Sequence, residues 1–196
     1  AIANKMYHQM MEHFKLHEPD YIKPNVKPFT KIEDWNFTTL KNEGRKDYRD
    51  DSFPAVQVPK YVFIGFEKSC HFEYKFDSRT EQTLAMILEN DKEVMKWLRP
   101  APNQFRIYWH HNSKIYEPDF VVETADCIYL IETKRADEIP SNEVQAKAQA
   151  ALKYCNYATE YTAEFGGKQW KYVLIPHDQV SKTSSFKGVV SDNIYK

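Results

Sequence analysis

Tyr116-Glu117-Pro118-Asp119-Phe120-Val121-Val122-Glu123-Thr124-Ala125-Asp126-Cys127-Ile128-Tyr129-Leu130-Ile131-Glu132-Thr133-Lys134 reads as a strand, a tight turn and a second strand, and the rest of the chain is organised around it. Phe120, Val121 and Val122 are β-formers, and Pro118 is tolerated near a strand start but not in mid-sheet, so the first strand is expected from Tyr116 to Glu123. Thr124-Ala125-Asp126 makes the turn. From Cys127 to Lys134, alternation puts Ile128, Leu130, Glu132 and Lys134 on one face and Cys127, Tyr129 and Ile131 on the other. Residues about equally far from so short a turn lie opposite each other on strands about 5 Å apart, which sets Asp119 beside Glu132. Two carboxylates that close repel unless one takes up a proton or a cation sits between them. A hard divalent ion such as Mg²⁺, bound through one or two carboxylates and several waters, meets that requirement, and Lys134 faces the same water or phosphate. The competing reading is a surface hairpin carrying an exposed ion pair, which contributes little energy.

Composition narrows the setting. The 196 residues are 42% hydrophobic, with 12 Phe, 13 Tyr and 4 Trp, enough for a sizeable core and too apolar for wholesale disorder. Lys and Arg number 27 against 28 Asp and Glu, which excludes the strong positive field of a dedicated nucleic-acid binder; DNA contact would come from a local patch or a partner. Cys70, Cys127 and Cys155 are widely spaced with no CxxC, as expected in a reducing compartment and not in a zinc site or disulfide scaffold. No apolar run approaches a membrane span and no signal peptide opens the chain, so a cytoplasmic location without membrane contact is expected. The start at Ala1, in mid-pattern, suggests a piece of something longer.

Residues 3–17 carry Met6, Met10, Phe14 and Leu16 on one side, the pattern of a connecting helix. From Glu18 to Pro59, prolines at 19, 24, 28, 54 and 59 break the pattern into an extended arm of the kind that belongs to an interface. Residues 1–59 thus read as an irregular N-terminal extension and 60–196 as the main domain. There, Tyr61 to Ile64 and Cys70 to Phe76 are expected strands, Ser78 to Asn90 a helix, Lys92 to Leu98 a second short helix, and Phe105 to His111 a strand. Adjacent strand residues point to opposite faces, so His110 and His111 do not chelate together. Asn142 to Glu164 is the longest helix, with Val144, Ala148, Ala151, Cys155 and Ala158 forming a stripe suited to close approach to a sheet. Gly166-Gly167 stops it, Trp170 to Ile175 gives a last apolar strand, and the polar end of the chain is expected loose or partly docked.

Two further charged residues carry alternatives. Glu81 shares an inward helix face with Leu84, Ala85 and Leu88, yet Ser78-x-x-Glu81 is also a capping box, so a catalytic carboxylate and a helix cap compete there. Lys147, at the margin of the alanine stripe, either reaches back toward the strand ends or snorkels to solvent.

The core order is helix, strand, strand, strand, helix, strand, an α/β arrangement with a central mixed sheet flanked by helices. With Pro118-Asp119 and Glu132-Thr133-Lys134 on its second and third strands, the chain resembles the PD-(D/E)xK nuclease superfamily, whose restriction-endonuclease-like core has this αβββαβ order. Phe76-Asp77-Ser78-x-x-Glu81, Trp97-Leu98-Arg99-Pro100, Tyr116-Glu117-Pro118-Asp119-Phe120, Leu130-Ile131-Glu132-Thr133-Lys134 and Lys171-Tyr172-Val173-Leu174-Ile175-Pro176-His177 are similar to the C-terminal endonuclease domain of type III restriction enzymes. That resemblance covers most of the chain from about Phe63 onward.

The resemblance implies a Mg²⁺-dependent endonuclease, with Mn²⁺ as a substitute, that hydrolyses phosphodiester bonds of double-stranded DNA as the nuclease module of a type III restriction-modification enzyme in antiviral defence. Its implied partners are DNA, a helicase-like ATPase portion of the same polypeptide, which alone uses ATP, and a DNA methyltransferase (modification) subunit. No GxxxxGK[ST] phosphate loop occurs in this sequence, so the motor would lie outside it. Asp119 and Glu132, with the Thr133 backbone carbonyl, would hold the metal, and Lys134 would orient water or stabilise developing charge. Glu81 corresponds to the acidic residue that many superfamily members carry on their first helix and would complete a second metal site or contact a metal-bound water; Lys147 would contact phosphate. The alternatives are a catalytically silent DNA-clamping or subunit-docking module, and the nuclease of a related helicase-nuclease defence or repair protein.

Overall fold

A computed structural model describes residues 32–34, 44–109 and 113–196. The helix expected over 3–17, most of the arm up to residue 43 and the His110-His111 pair lie outside the described residues. The remainder is a mixed α/β fold built on a three-stranded, a four-stranded and a two-stranded sheet. Strands β1 (Arg45–Asp47), β2 (Val62–Ile64) and β3 (Glu73–Tyr74) form the first sheet, with β1 parallel and β3 antiparallel to β2. The last part of the expected arm is therefore no free linker. It pairs through β1, continues through a 3-10 turn at Ala55–Lys60, and buries Tyr48 and Val58 in the same core as the residues that follow.

Helix α1 (Arg79–Asn90) starts where Ser78 caps it, the Ser78 Oγ accepting from the Glu81 backbone N–H at 3.1 Å. Every residue from Glu81 to Glu89 is buried, so α1 is enclosed on all sides and its polar side chains must find internal partners. They do. The Gln82 amide donates to the carbonyls of Tyr48 and Asp50 at 3.0 and 2.9 Å. Glu89 accepts the Lys68 backbone N–H at 2.7 Å and the Trp97 indole N–H at 2.7 Å, together with the Glu67 backbone N–H.

The expected helix over Lys92 to Leu98 is instead a turn followed by strand β4 (Lys96–Leu98). So short a helix could not offset its own nucleation cost, and Trp97 and Leu98 gain more by pairing with Val122 and Val121. A second correction concerns Phe105 to His111. Among the described residues of this stretch, Ile107–Trp109 form β5, which pairs with β6 (Lys114–Tyr116) in the two-stranded sheet. The first strand of the central sheet is thus β4, not β5.

The single strand expected from Tyr116 to Glu123 is divided. It ends as β6 at Tyr116 and resumes as β7 (Phe120–Glu123), because Pro118 has no N–H for a ladder. Strand β8 (Cys127–Lys134) runs antiparallel to β7 with Phe120 opposite Ile131, and parallel to β9 (Gln169–Pro176) with Glu132 opposite Leu174. The central order is β4-β7-β8-β9.

Each face of that sheet has its own core. Phe120, Val122, Ile131, Val173 and Ile175 pack with α1 and with Phe186, Val189 and Val190 of a short C-terminal helix, α3 (Phe186–Ser191), so the chain's end is docked. On the other face Leu130, Tyr172 and Leu174 meet Val144, Ala148, Ala151 and Cys155 of helix α2 (Asn142–Ala163), beside Phe105, Ile107, Trp109 and Tyr116. Ala148 and Ala151 are fully buried there, the close approach that a stripe of small side chains permits.

Replacing Glu89 by Leu would leave one buried and two part-buried N–H donors without that acceptor, so Glu89→Leu is expected to destabilise the protein by about 3–5 kcal/mol. Urea unfolding measures it; an unchanged midpoint would show that those donors find other partners.

Candidate active site

Asp119 occupies the break between β6 and β7, half-buried, one position before the Phe120–Ile131 pair. Its Oδ2 accepts the Thr133 backbone N–H at 2.8 Å and the Thr133 hydroxyl at 2.9 Å, which fixes the carboxylate against the end of β8. Glu132 stands one position beyond the same pair, so the two acids take adjacent cross-strand places.

Glu132 is only 5% exposed. Burial, reinforced by the charge of Asp119, pushes its pKa up to about 8 against the opposing pull of Lys134 and Tyr116. Lys134 Nζ lies 2.6 Å from Glu132 Oε1, and the Tyr116 hydroxyl donates to Oε2 at 3.1 Å. Burial works to lower the Lys134 pKa, but the carboxylates of Glu132, Asp119 and Glu138 outweigh it, and the lysine holds its proton more tightly than usual. Tyr116 is buried next to Tyr172, their hydroxyls 3.4 Å apart, and burial together with the Glu132 charge keeps its phenol protonated and a donor.

Glu81 stands in the first turn of α1. Its Oε2 accepts the Asp77 backbone N–H at 3.0 Å, one residue before the cap, and is paired with Nη1 of Arg99. The capping half of the two readings for Glu81 is thus visible in the geometry, with a buried ion pair added to it. Arg99 follows β4, is 8% exposed, and also donates through Nη2 to Asp77 Oδ2 at 2.7 Å. Burial raises the Glu81 pKa; the Arg99 charge opposes this and the Asp119 charge adds to it, which places Glu81, Arg99 and Asp119 within one electrostatic neighbourhood.

Lys147 is bonded to Glu143 at 2.7 Å, one helical turn before it, and its Nζ sits 5.4 Å from the centre of the Trp109 ring, which Lys114 also approaches at 4.8 Å. The exposed Glu143 carboxyl is held below its usual pKa by its bond to Lys147, then by the charges of Lys147, Lys114 and Lys134. These three lysines therefore surround one end of α2. Tyr116 and Arg99 are site residues that the sequence reading left without a role. Both lie within the quoted segments Trp97-Leu98-Arg99-Pro100 and Tyr116-Glu117-Pro118-Asp119-Phe120, but a buried hydroxyl or guanidinium partner has no signature in local spacing.

The donor chemistry suits a hard divalent cation. Two carboxylates on neighbouring strands, one driven by burial to keep its proton, are what such an ion stabilises in ionised form. Among the described residues no group of three or more His, Cys, Asp and Glu side chains is arranged to hold a metal, so a backbone carbonyl and waters would supply the other ligands, as is usual for Mg²⁺. No helix among the described residues is long and apolar enough to cross a membrane. No protein-family model, curated protein or solved structure matches this chain.

Glu132 makes stability depend on pH with a definite sign. Its pKa rises from an ordinary 4.5 to about 8 on folding, so between these values the folded state binds more protons than the unfolded one. The stabilisation is complete below about pH 4.5 and is lost as pH climbs through about 8. Urea unfolding of metal-free protein at several pH values should show this loss, and Glu132→Gln should flatten it; equal slopes in both proteins would refute the assignment.

Proposed function

We propose that the chain is a Mg²⁺-dependent DNA endonuclease domain of the PD-(D/E)xK kind, serving as the nuclease module of a type III restriction enzyme or a related helicase-nuclease defence protein. The observation that carries this reading is the end of the β7–β8 pair, where Asp119, Glu132 and Lys134 converge with Lys134 Nζ 2.6 Å from Glu132 Oε1. Asp119, Glu132 and the Thr133 carbonyl are the residues that would hold the ion, with Mn²⁺ as a substitute. The ion supplies neutralisation of charge on the phosphate and acidification of the attacking water.

The chain's own residues do the positioning. Thr133 fixes Asp119 through two hydrogen bonds, and Tyr116 fixes one oxygen of Glu132. Lys134, with its proton held tightly, serves as a fixed positive charge and hydrogen-bond donor toward water or phosphate and not as a base. Lys147 and Lys114 both approach the Trp109 ring and suit contact with a phosphate. Duplex DNA is the proposed substrate; the ATPase portion and the methyltransferase subunit are the proposed partners, in the cytoplasm.

The silent docking-module reading draws on one observation, the exposure of Phe72 and Val56 at 92% and 80%, which leaves apolar surface available to a partner. Cleavage separates the two. In the complete enzyme, Asp119→Ala or Lys134→Ala should reduce divalent-dependent DNA cutting by at least about 100-fold while DNA binding and ATP hydrolysis persist. Undiminished cutting by either variant would remove the nuclease assignment.

A further inference from the structure

Resting on the nuclease reading, we infer that the site takes a single divalent cation, and that Arg99, clamped between Glu81 and Asp77, occupies the electrostatic place a second cation would fill. The carboxylate of Glu81 is the only acid that α1 offers to this region. Its Oε2 already receives the Arg99 guanidinium and the Asp77 backbone N–H. Arg99 is in turn tied to Asp77 at 2.7 Å, so the guanidinium is held by two acids and by the burial of its stem. Recruiting Glu81 as a metal ligand would take from a buried guanidinium its buried carboxylate partner, and removing one partner from a buried pair is strongly unfavourable.

Charge balance points the same way. Asp119, Glu132, Glu81 and Asp77 place four carboxylates around the site, and Arg99 and Lys134 place two cations among them. With all four acids ionised this leaves two net negative charges, which one divalent ion neutralises. A second divalent ion would leave two positive charges in a partly buried site, more than the single negative charge of a phosphodiester offsets.

Arg99 acts through its charge on Asp119 and its hold on Glu81, which makes it a positioning residue. Its location just after β4 explains how it gets there. Leu98 pairs with Val121, so the next residue of β4's chain reaches the level of Phe120, beside Asp119.

Manganese binding to the full chain in the absence of DNA, followed by electron paramagnetic resonance of free Mn²⁺, tests this without reference to activity. One Mn²⁺ per chain is expected in the wild type. Asp119→Asn should weaken that ion by at least about 10-fold, whereas Glu81→Gln, which keeps an acceptor for Arg99 and for the Asp77 N–H, should change its affinity by less than about 3-fold. Arg99→Gln should admit a second, weaker ion that disappears again when Glu81→Gln is added. Two ions in the wild type, one of them lost in Glu81→Gln, would overturn the single-ion inference and leave the nuclease reading standing. No Mn²⁺ binding at all would overturn both. Should Arg99→Gln fail to fold, the wild-type stoichiometry and the Glu81→Gln affinity still decide the matter.

Discussion

Pro118 has no amide hydrogen to give to a ladder, and the course of the chain at the candidate site depends on that deficit. The strand that would have run unbroken from Tyr116 to Glu123 stops before it and restarts after it, and Asp119 falls in the gap. Free of ladder pairing, the Asp119 side chain turns to Thr133 across the sheet and takes both its N–H and its hydroxyl. The same break lets β6 leave the central sheet to pair with β5, and Tyr116, at its end, drops into the core against Glu132 and Tyr172. One missing donor thus produces the gap, the fixed carboxylate and the buried hydroxyl that orients its neighbour.

The second constraint is enclosure of α1. A helix buried on every side cannot send its polar side chains to water, so each has to be answered by another element. Glu89 is answered by the loop after β2 and by β4, Gln82 by the chain after β1, Glu81 by Arg99 beyond β4. These bonds tie the three-stranded sheet, the helix and the four-stranded sheet to one another. The polar cross-links fix the relative height of α1 and β4, which apolar packing alone leaves adjustable. That height determines where Glu81 and Arg99 stand relative to Asp119.

Local periodicity made part of this legible in the sequence. Strand β8 is found from Cys127 to Lys134 as its alternation predicts, and the α2 stripe of Val144, Ala148, Ala151, Cys155 and Ala158 is the buried set of that helix. Both signals lie within one element and need no knowledge of partners. The Lys96–Leu98 strand was illegible because its stability comes from Val121 and Val122, distant in sequence, and three residues carry no period of their own. Glu89 has no partner legible in local spacing, and only the fold brings Glu67, Lys68 and Trp97 to it. At the site, the cross-strand placement of Asp119 and Glu132 followed from turn length. The partners that tune them, Tyr116 and Arg99, come from β6 and from beyond β4, and no spacing rule connects those segments to β8.

Glu89 and Glu132 are both buried glutamates, and their surroundings differ in kind. Glu89 meets three N–H donors, and an acceptor at that point is what the surrounding backbone and indole require. Glu132 meets one hydroxyl and one lysine, but it also meets Asp119, a second acid that raises its affinity for a proton. No packing need demands that second acid. A buried ion pair is often no better for stability than apolar side chains of similar volume, and adding a like charge makes it worse. The fold therefore tolerates at Glu132 an arrangement that costs it stability, and such local conflicts collect where a sequence answers to function as well as to folding. By that criterion Glu89 is placed to hold the chain together, while the Asp119–Glu132 pair has the chemistry that the proposed cation would complete.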